Sequence, residues 1–390
     1  MTTKAFKRRD FLKAGAAAWL FTQTASAQAF TSALGRSKDL SHKKLVWVFL
    51  RGALDGLHTL IPHTDPDLGE DRKALIAPIK SRLLALNPDF SLHPDLVFMH
   101  KLYQQQQMAP VLAVASGYRD RSHFDAQDQM ESGLNITDHD SGWLARAAKE
   151  VAGNGIAISR SVPIALRGKQ FQAETWYPST FPEADEDLLA RLSGLYQNDA
   201  ALEKHLAALV AQKQNPAMQM QEQQRTNFGY LAERCGELLA NSKSTNCAML
   251  ELGGWDTHNN QHGRLSRMFK QLDQGLQRMQ AALGPTWDNT LVVVSTEFGR
   301  TVAINGTNGT DHGTASSMFV LGGALSSFPK HSPVKGGKVL GVWPGLAPSN
   351  LYEERDLMPT SDVRMWIADA LMAQWQLSAA GVKRVFPDYA

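Results

Sequence analysis

The chain has little cysteine, no long apolar run and no excess of basic charge, and each shortage narrows what it is. Two cysteines occur among 390 residues. Cys235 falls in a helical pattern and Cys247 opens an apolar run, which predicts two separately buried thiols rather than a bridge. After the N-terminal segment no stretch is long and apolar enough to span a bilayer, so no stable membrane span is expected. The formal net charge is +2, and residues 1–27 hold five positive side chains (Lys4, Lys7, Arg8, Arg9, Lys13) against Asp10. The remainder is thus slightly acidic, and no nucleic-acid partner is expected. Internal repeats and long linkers are missing too.

What is present starts with a targeting pattern. A basic stretch, Lys7–Lys13, precedes a short apolar one, Ala14–Phe21, and then Ala25-Ser26-Ala27. Basic region, short apolar region and A-x-A site in that order predict a signal peptide over residues 1–27, cleaved after Ala27. Arg8-Arg9 followed by Phe11, Leu12 and Lys13 resembles a twin-arginine signal, which implies the twin-arginine export machinery as a partner and a periplasmic destination. The remaining 28–390 is long enough for one elaborated α/β domain with a large core.

Apolar runs alternate with helical patterns, which predicts a mostly parallel sheet flanked by helices. The expected strands are Leu45–Leu50, Val111–Ala115, Gly155–Ser159, Cys247–Leu252, Leu291–Ser295 and Met318–Leu321. Expected helices start at Ser122, cover Ser141–Val151 under a serine cap, and cover Asn260–Leu283 and Asp362–Trp375. From about Glu183 to Ser242 the apolar spacing is helical, which reads as a helical insert beside the sheet.

The chemistry-bearing residues fall at the ends of the apolar runs. In an open α/β sheet, loops at the carboxyl ends of parallel strands converge on one crevice. The first run ends in RGALDG with Asp55. The second ends in RDRSHFDAQDQ with Ser122, His123 and Asp125. The GGWDTH loop brings Asp256 and His258, two apart and so pointing the same way in an extended segment. TEFGRT brings Glu297 and Arg300, and GTDHGT brings Asp311 and His312 ahead of Met318–Leu321. Asp, His and Glu converging with a hydroxyl is the material of a metal-dependent hydrolase. The expected metal ligands are Asp55, Asp256, His258, Glu297, Asp311 and His312, with Asp311 suited either to ligate or to orient its neighbouring imidazole. Ser122, at a helix start where an anion is favoured, is the expected nucleophile. Arg300 is expected to hold a tetrahedral anion through its planar fork, against the competing reading of a buried Arg–Glu pair. Mixed Asp/His donors favour one or two zinc or manganese ions over calcium.

The twin-arginine pattern, FLRGALDGLHTLIP, RSHFDAQDQMESG, GGWDTH, STEFGRT and NGTNGTDHGTAS occur in an order that resembles the bacterial family called domain of unknown function 1501. That family in turn resembles the alkaline phosphatase and sulfatase superfamily. The resemblance implies an alkaline-phosphatase-like central sheet with a metal site at the strand carboxyl ends. It also implies cleavage of phosphate, or related sulfate or phosphonate, esters of a small molecule or polymer. Asp55, Ser122, Asp256, His258 and His312 match the pattern. Glu297-Phe298 departs from it, because relatives of that superfamily place Asp-His there for a second ion. Phe298 cannot ligate, which leaves the second site weakened, absent, or rebuilt with His123 or Asp311. The alternative that Phe298 raises is a non-catalytic binding or cell-envelope assembly protein on a degenerate scaffold of the same kind.

Overall fold

Runs of β-branched and aromatic residues, apolar on both faces, form the interior strands of a sheet covered on both sides. In the computed structural model the described residues are 40–178 and 227–389, with Leu192, Tyr196, Asp199, Leu202, Lys204 and Leu206 between them. Every described helix and strand belongs to the unit Ser41–Ala390. The expected signal segment lies outside the described residues, as does the part of the expected insert (about 183–242) before residue 227, apart from those six positions.

The strands are Lys44–Arg51 (β1), Leu60–Ile61 (β2), Leu84–Ala85 (β3), Ser91–Leu92 (β4), Met108–Ala115 (β5), Asn154–Ala157 (β6), Ala173–Thr175 (β7), Thr245–Gly253 (β8), Thr290–Thr296 (β9), Ser316–Leu321 (β10) and Ser361–Asp362 (β11). The helices are Gly56–Thr59 (α1), Leu68–Ile76 (α2), Val97–Gln104 (α3), His123–Ser132 (α4), Trp143–Lys149 (α5), Phe228–Asn241 (α6), Gln261–Leu283 (α7), Val363–Trp375 (α8) and Ala379–Val385 (α9). Eight strands make one sheet in the order β11-β5-β10-β9-β1-β8-β6-β7, and β2, β4 and β3 make a small second one. Every neighbouring pair of the large sheet is parallel except those of β10, which runs antiparallel to both β9 and β5. The mostly parallel sheet expected from the apolar runs is the one observed. The reversal of β10 puts the loop before it on the same edge as the loops that follow β1, β5, β8 and β9.

Alternation along β1 sorts the core into two layers. Val46, Val48 and Leu50 pack with Leu231 and Leu239 of α6 and with Leu265, Phe269 and Leu272 of α7. Leu45, Trp47 and Phe49 pack on the other face with Leu144 and Ala148 of α5 and with Trp366, Ile367 and Leu371 of α8. Cys235 belongs to the first layer and Cys247 to the second. Both are buried free thiols on opposite faces of the sheet, and burial pushes both well above the usual thiol range.

One helix start differs from the sequence expectation. Gly142, not Ser141, occupies the cap position of α5. A side chain there would meet the Ile164 carbonyl at 2.0 Å, so only glycine permits that approach. Ser141 Oγ instead accepts from Arg146 Nη1 at 2.9 Å. The helix expected over Asp362–Trp375 is observed as α8, with Asp362 at its cap position and its carboxylate accepting from Arg364 N.

The core also holds an acid-sensitive element. His58 and His93 are buried, with ring centroids 5.1 Å apart. Neither ring nitrogen of His58, nor His93 Nε2, has a hydrogen-bond partner among the described residues. Burial pushes His58 down to about 3 and His93 to about 4, against the attraction of Asp55 and Asp95. Both rings are neutral when folded and charge readily when unfolded. Stability is therefore fully present above the unfolded value near 6.5 and falls as pH drops below it, by about 1.4 kcal/mol per pH unit for each ring. Urea midpoints are expected to drop between pH 7 and pH 5, with a shallower drop in His58→Leu. Equal pH slopes in the two proteins would remove His58 as the cause.

Candidate metal centre

Four segments deliver side chains to one edge of the sheet. His123 opens α4 directly after β5 and its loop. Asp256 and His258 follow β8, Glu297 and Arg300 follow β9, and His312 precedes the reversed β10. Gly52 follows β1 with φ +117°, and a Cβ there would stand 2.6 Å from Asp256 N. Its bare N–H donates to Glu297 Oε1 at 2.8 Å.

Three imidazoles are each fixed through Nδ1. His123 Nδ1 donates to Glu297 Oε1 at 2.7 Å, His258 Nδ1 to Asp311 Oδ1 at 2.9 Å, and His312 Nδ1 to the Arg121 carbonyl at 3.0 Å. Carboxylate and carbonyl oxygens only accept, so each Nδ1 carries the hydrogen and, in the neutral ring, each Nε2 keeps its lone pair. His312 Nε2 is 3.0 Å from His123 Nε2 and 3.1 Å from His258 Nε2. Asp256 Oδ1 lies 2.9 Å from His258 Nε2, 3.3 Å from His312 Nε2 and 3.6 Å from His123 Nε2. His123, Asp256 and His312 have the mutual spacing of a metal-binding group.

The donor set fits a divalent ion. Bonds of about 2.0–2.1 Å in tetrahedral array put neighbouring donors about 3.3 Å apart. The observed separations bracket that value. Lone pairs and a carboxylate oxygen this close repel one another unless a cation lies among them. The electrostatics prepare the set for one. Partial burial alone would raise the Asp256 carboxyl, but the hydrogen bond from Arg300 holds it below the usual range. Burial and the charge of His123 push His312 down, toward the neutral ligating form. His123 is raised in spite of burial because Glu297 accepts from it. The side chains of His123, Asp256, His258 and His312 are 20–43 % exposed, so the cluster opens to solvent.

Of the expected ligands, Asp256, His258 and His312 bring donor atoms to the cluster. Glu297 is buried behind His123. Its carboxyl stays below the usual range despite burial, because His123, Gln127 and Thr296 donate to it. Asp311 stands behind His258, so it orients that ring and not its own neighbour His312. Asp55 is buried elsewhere in the network. It caps α1, accepting from Leu57 N at 3.0 Å and His58 N at 3.1 Å, and pairs with Arg72 Nη1 at 2.7 Å. Arg300 is buried with its donors turned inward, Nη1 to Asp256 Oδ1 at 2.8 Å, Nε to Thr310 Oγ1 at 3.2 Å and Nη2 to the Thr310 carbonyl. It forms an ion pair, buried on the arginine side only, with Asp256 as the partner instead of Glu297.

Ser122 holds the cap position of α4 with extended backbone, yet its hydroxyl makes no capping bond. It faces the Tyr118 phenol, which also meets Asp125 at 3.3 Å. Phe298 is buried and stacks on His123, ring centroids 4.9 Å apart. It walls the cluster and, as expected of a phenylalanine, offers no ligand atom. Sequence reasoning treated His123 only as a neighbour of Ser122 and a possible replacement ligand. Its place immediately after a helix cap, at a strand's carboxyl end, was the available signal. Gln127 went unnoticed.

A mostly parallel, helix-flanked sheet with a His/Asp cluster at its carboxyl edge defines an α/β protein built around a candidate metal centre. The chain belongs to the family described as "Protein of unknown function (DUF1501)", whose model matches residues 93–386. No curated protein matches it. Among solved structures it is similar to Ps i-CgsB, at 12% identity over 87% of this chain and 74% of that one, TM-score 0.41. It is also similar to the phosphonate monoester hydrolase of Agrobacterium radiobacter, at 11% identity over 72% and 68%, TM-score 0.36. A third is the alkaline phosphatase of the Antarctic bacterium TAB5, at 12% identity over 72% and 90%, TM-score 0.32.

Proposed function

We propose that this protein is an exported, metal-dependent hydrolase of phosphate or related esters. The observation that carries the reading is the fixing of His123, His258 and His312 through Nδ1, so that His312 Nε2 and Asp256 Oδ1 each lie within 3.6 Å of the Nε2 atoms of both His123 and His258, at a solvent-open edge. A zinc or manganese ion held there supplies Lewis acidity toward an ester's developing charge. Arg300 holds Asp256 in place. Ser122 Oγ, next in sequence to a ligand and at a helix N-terminus that favours an anion, is the proposed nucleophile for in-line attack. The substrate is a small-molecule or polymer ester met in the periplasm. Residues 1–27 deliver the protein there through the twin-arginine machinery. No described helix is long and apolar enough to cross a membrane.

Ser122→Gly tests the nucleophile. Glycine is a tolerable cap and costs only a few tenths of a kcal/mol there. The variant is expected to keep its melting temperature and its metal and to lose most hydrolysis across a panel of phosphate mono- and diesters. Full activity would reassign the attack to water. A second reading, a non-catalytic binding or envelope-assembly protein, is favoured by Phe298 against His123. A wild-type protein that binds metal yet hydrolyses nothing on the panel, with several metals tried, would support it.

A further inference from the structure

The first face of α4 carries three polar residues at helical spacing, His123, Gln127 and Glu131. Residues four apart in a helix lie one above the other. All three are bonded into the sheet edge, and Gln127 sits between opposite charges. Its Oε1 accepts from Arg51 Nη1 at 2.6 Å, and its Nε2 donates to Glu297 Oε1 at 2.8 Å. Arg51 has only donors and ionised Glu297 only acceptors, so the amide has a single satisfactory orientation. Arg51 is anchored in turn by Glu131 at 2.5 Å and Glu251 at 2.7 Å. The same Glu297 Oε1 takes the hydrogen of His123 Nδ1.

We propose that Gln127 is a positioning residue for the metal centre: it ties Glu297 to Arg51 and so fixes the carboxylate that orients His123 toward the ion. This rests on the metal-centre reading above. Only a side chain with an acceptor on one side and a donor on the other fits between the two charges. Glutamate would set two carboxylates against each other, and lysine would set two cations against each other. Leucine keeps the bulk and removes both bonds. Glu297 then retains Gly52 N, Thr296 Oγ1 and His123, but loses the tie to Arg51. Partners that stand behind metal-bound imidazoles are typically worth about 10–100-fold in metal affinity.

The test compares zinc affinity, by chelator competition, in the wild type, Gln127→Leu, Glu297→Gln and His312→Ala. Gln127→Leu and Glu297→Gln are expected to bind zinc roughly 10–100-fold more weakly, with the metal-free melting temperature unchanged for Gln127→Leu. Long-range proton–nitrogen NMR of the metal-free proteins at alkaline pH supplies the second readout. His123 is expected to be an Nδ1–H tautomer in the wild type and a mixture in Gln127→Leu. Wild-type affinity together with an unchanged tautomer in Gln127→Leu would overturn the proposal. A fall in affinity matched by a fall in metal-free melting temperature would make the role structural only and would overturn it too. A wild type that binds no zinc would instead sink the metal reading, and the NMR comparison would still decide whether Gln127 sets the ring.

Discussion

Arg72→Met is expected to destabilise the fold by about 3–5 kcal/mol, the usual cost of removing one partner of a buried ion pair. Both members are almost inaccessible, Arg72 at 0% and Asp55 at 1%. The guanidinium meets both Asp55 oxygens, and it donates to the Val302 carbonyl at 2.7 Å and the Thr301 carbonyl at 2.6 Å. Burial alone would push the Asp55 carboxyl up, and Arg72 is the main influence that holds it below the usual range. Methionine fills much of the volume but leaves a buried carboxylate uncompensated and two carbonyls without their donor. The same substitution frees the loop that follows β9. Urea denaturation with an unchanged m-value is the measurement. A loss below about 1 kcal/mol would show that water or another cation reaches Asp55.

His312→Ala is expected to abolish tight metal binding while leaving the protein folded. His312 Nε2 is the hub of the cluster, within 3.0–3.3 Å of His123, His258 and Asp256. Binding free energies of roughly 10–16 kcal/mol for structural zinc, shared over three or four donors, make each worth about 2.5–5 kcal/mol. That is a loss of about 60-fold or more. The side chain is 27% exposed, so its removal leaves no sealed cavity. His258→Ala is expected to lower metal content as well, because its Nε2 faces both His312 and Asp256. Metal analysis and melting temperature together decide. Full occupancy in both variants would show that the ion is held elsewhere.

Much of this architecture was legible in the residues, for physical reasons. β1, β5, β8 and β9 are buried on both faces, and such strands appear in sequence as unbroken apolar runs. Polar loops after those runs marked the edge where the chemistry gathers, and Asp256, His258 and His312 were readable from it. Strand direction was not readable, since an apolar run looks the same either way. β10 runs backwards, and GTDHGT reaches the edge by preceding its strand. The roles of the carboxylates were also hidden. A Gly-bounded Asp55 reads alike whether it faces an ion or Arg72, because Arg72 announces itself only as one cation in α2. Glu297 and Asp311 stand behind histidines because of side-chain geometry, which spacing does not encode. Pairing Arg300 with Asp256 in place of Glu297 is likewise a choice made by packing across strands.

The donors come from segments as much as 189 residues apart in the chain. Closing loops of that length is slow and must precede any reward from the contacts they bring. His123 cannot meet His312 until β5, β10 and β9 have found their registers, so a nascent or collapsed chain offers at most the local Asp256–His258 pair. The full donor set exists only on the finished fold. An ion bound there would therefore slow unfolding and leave the rate of folding to the sheet.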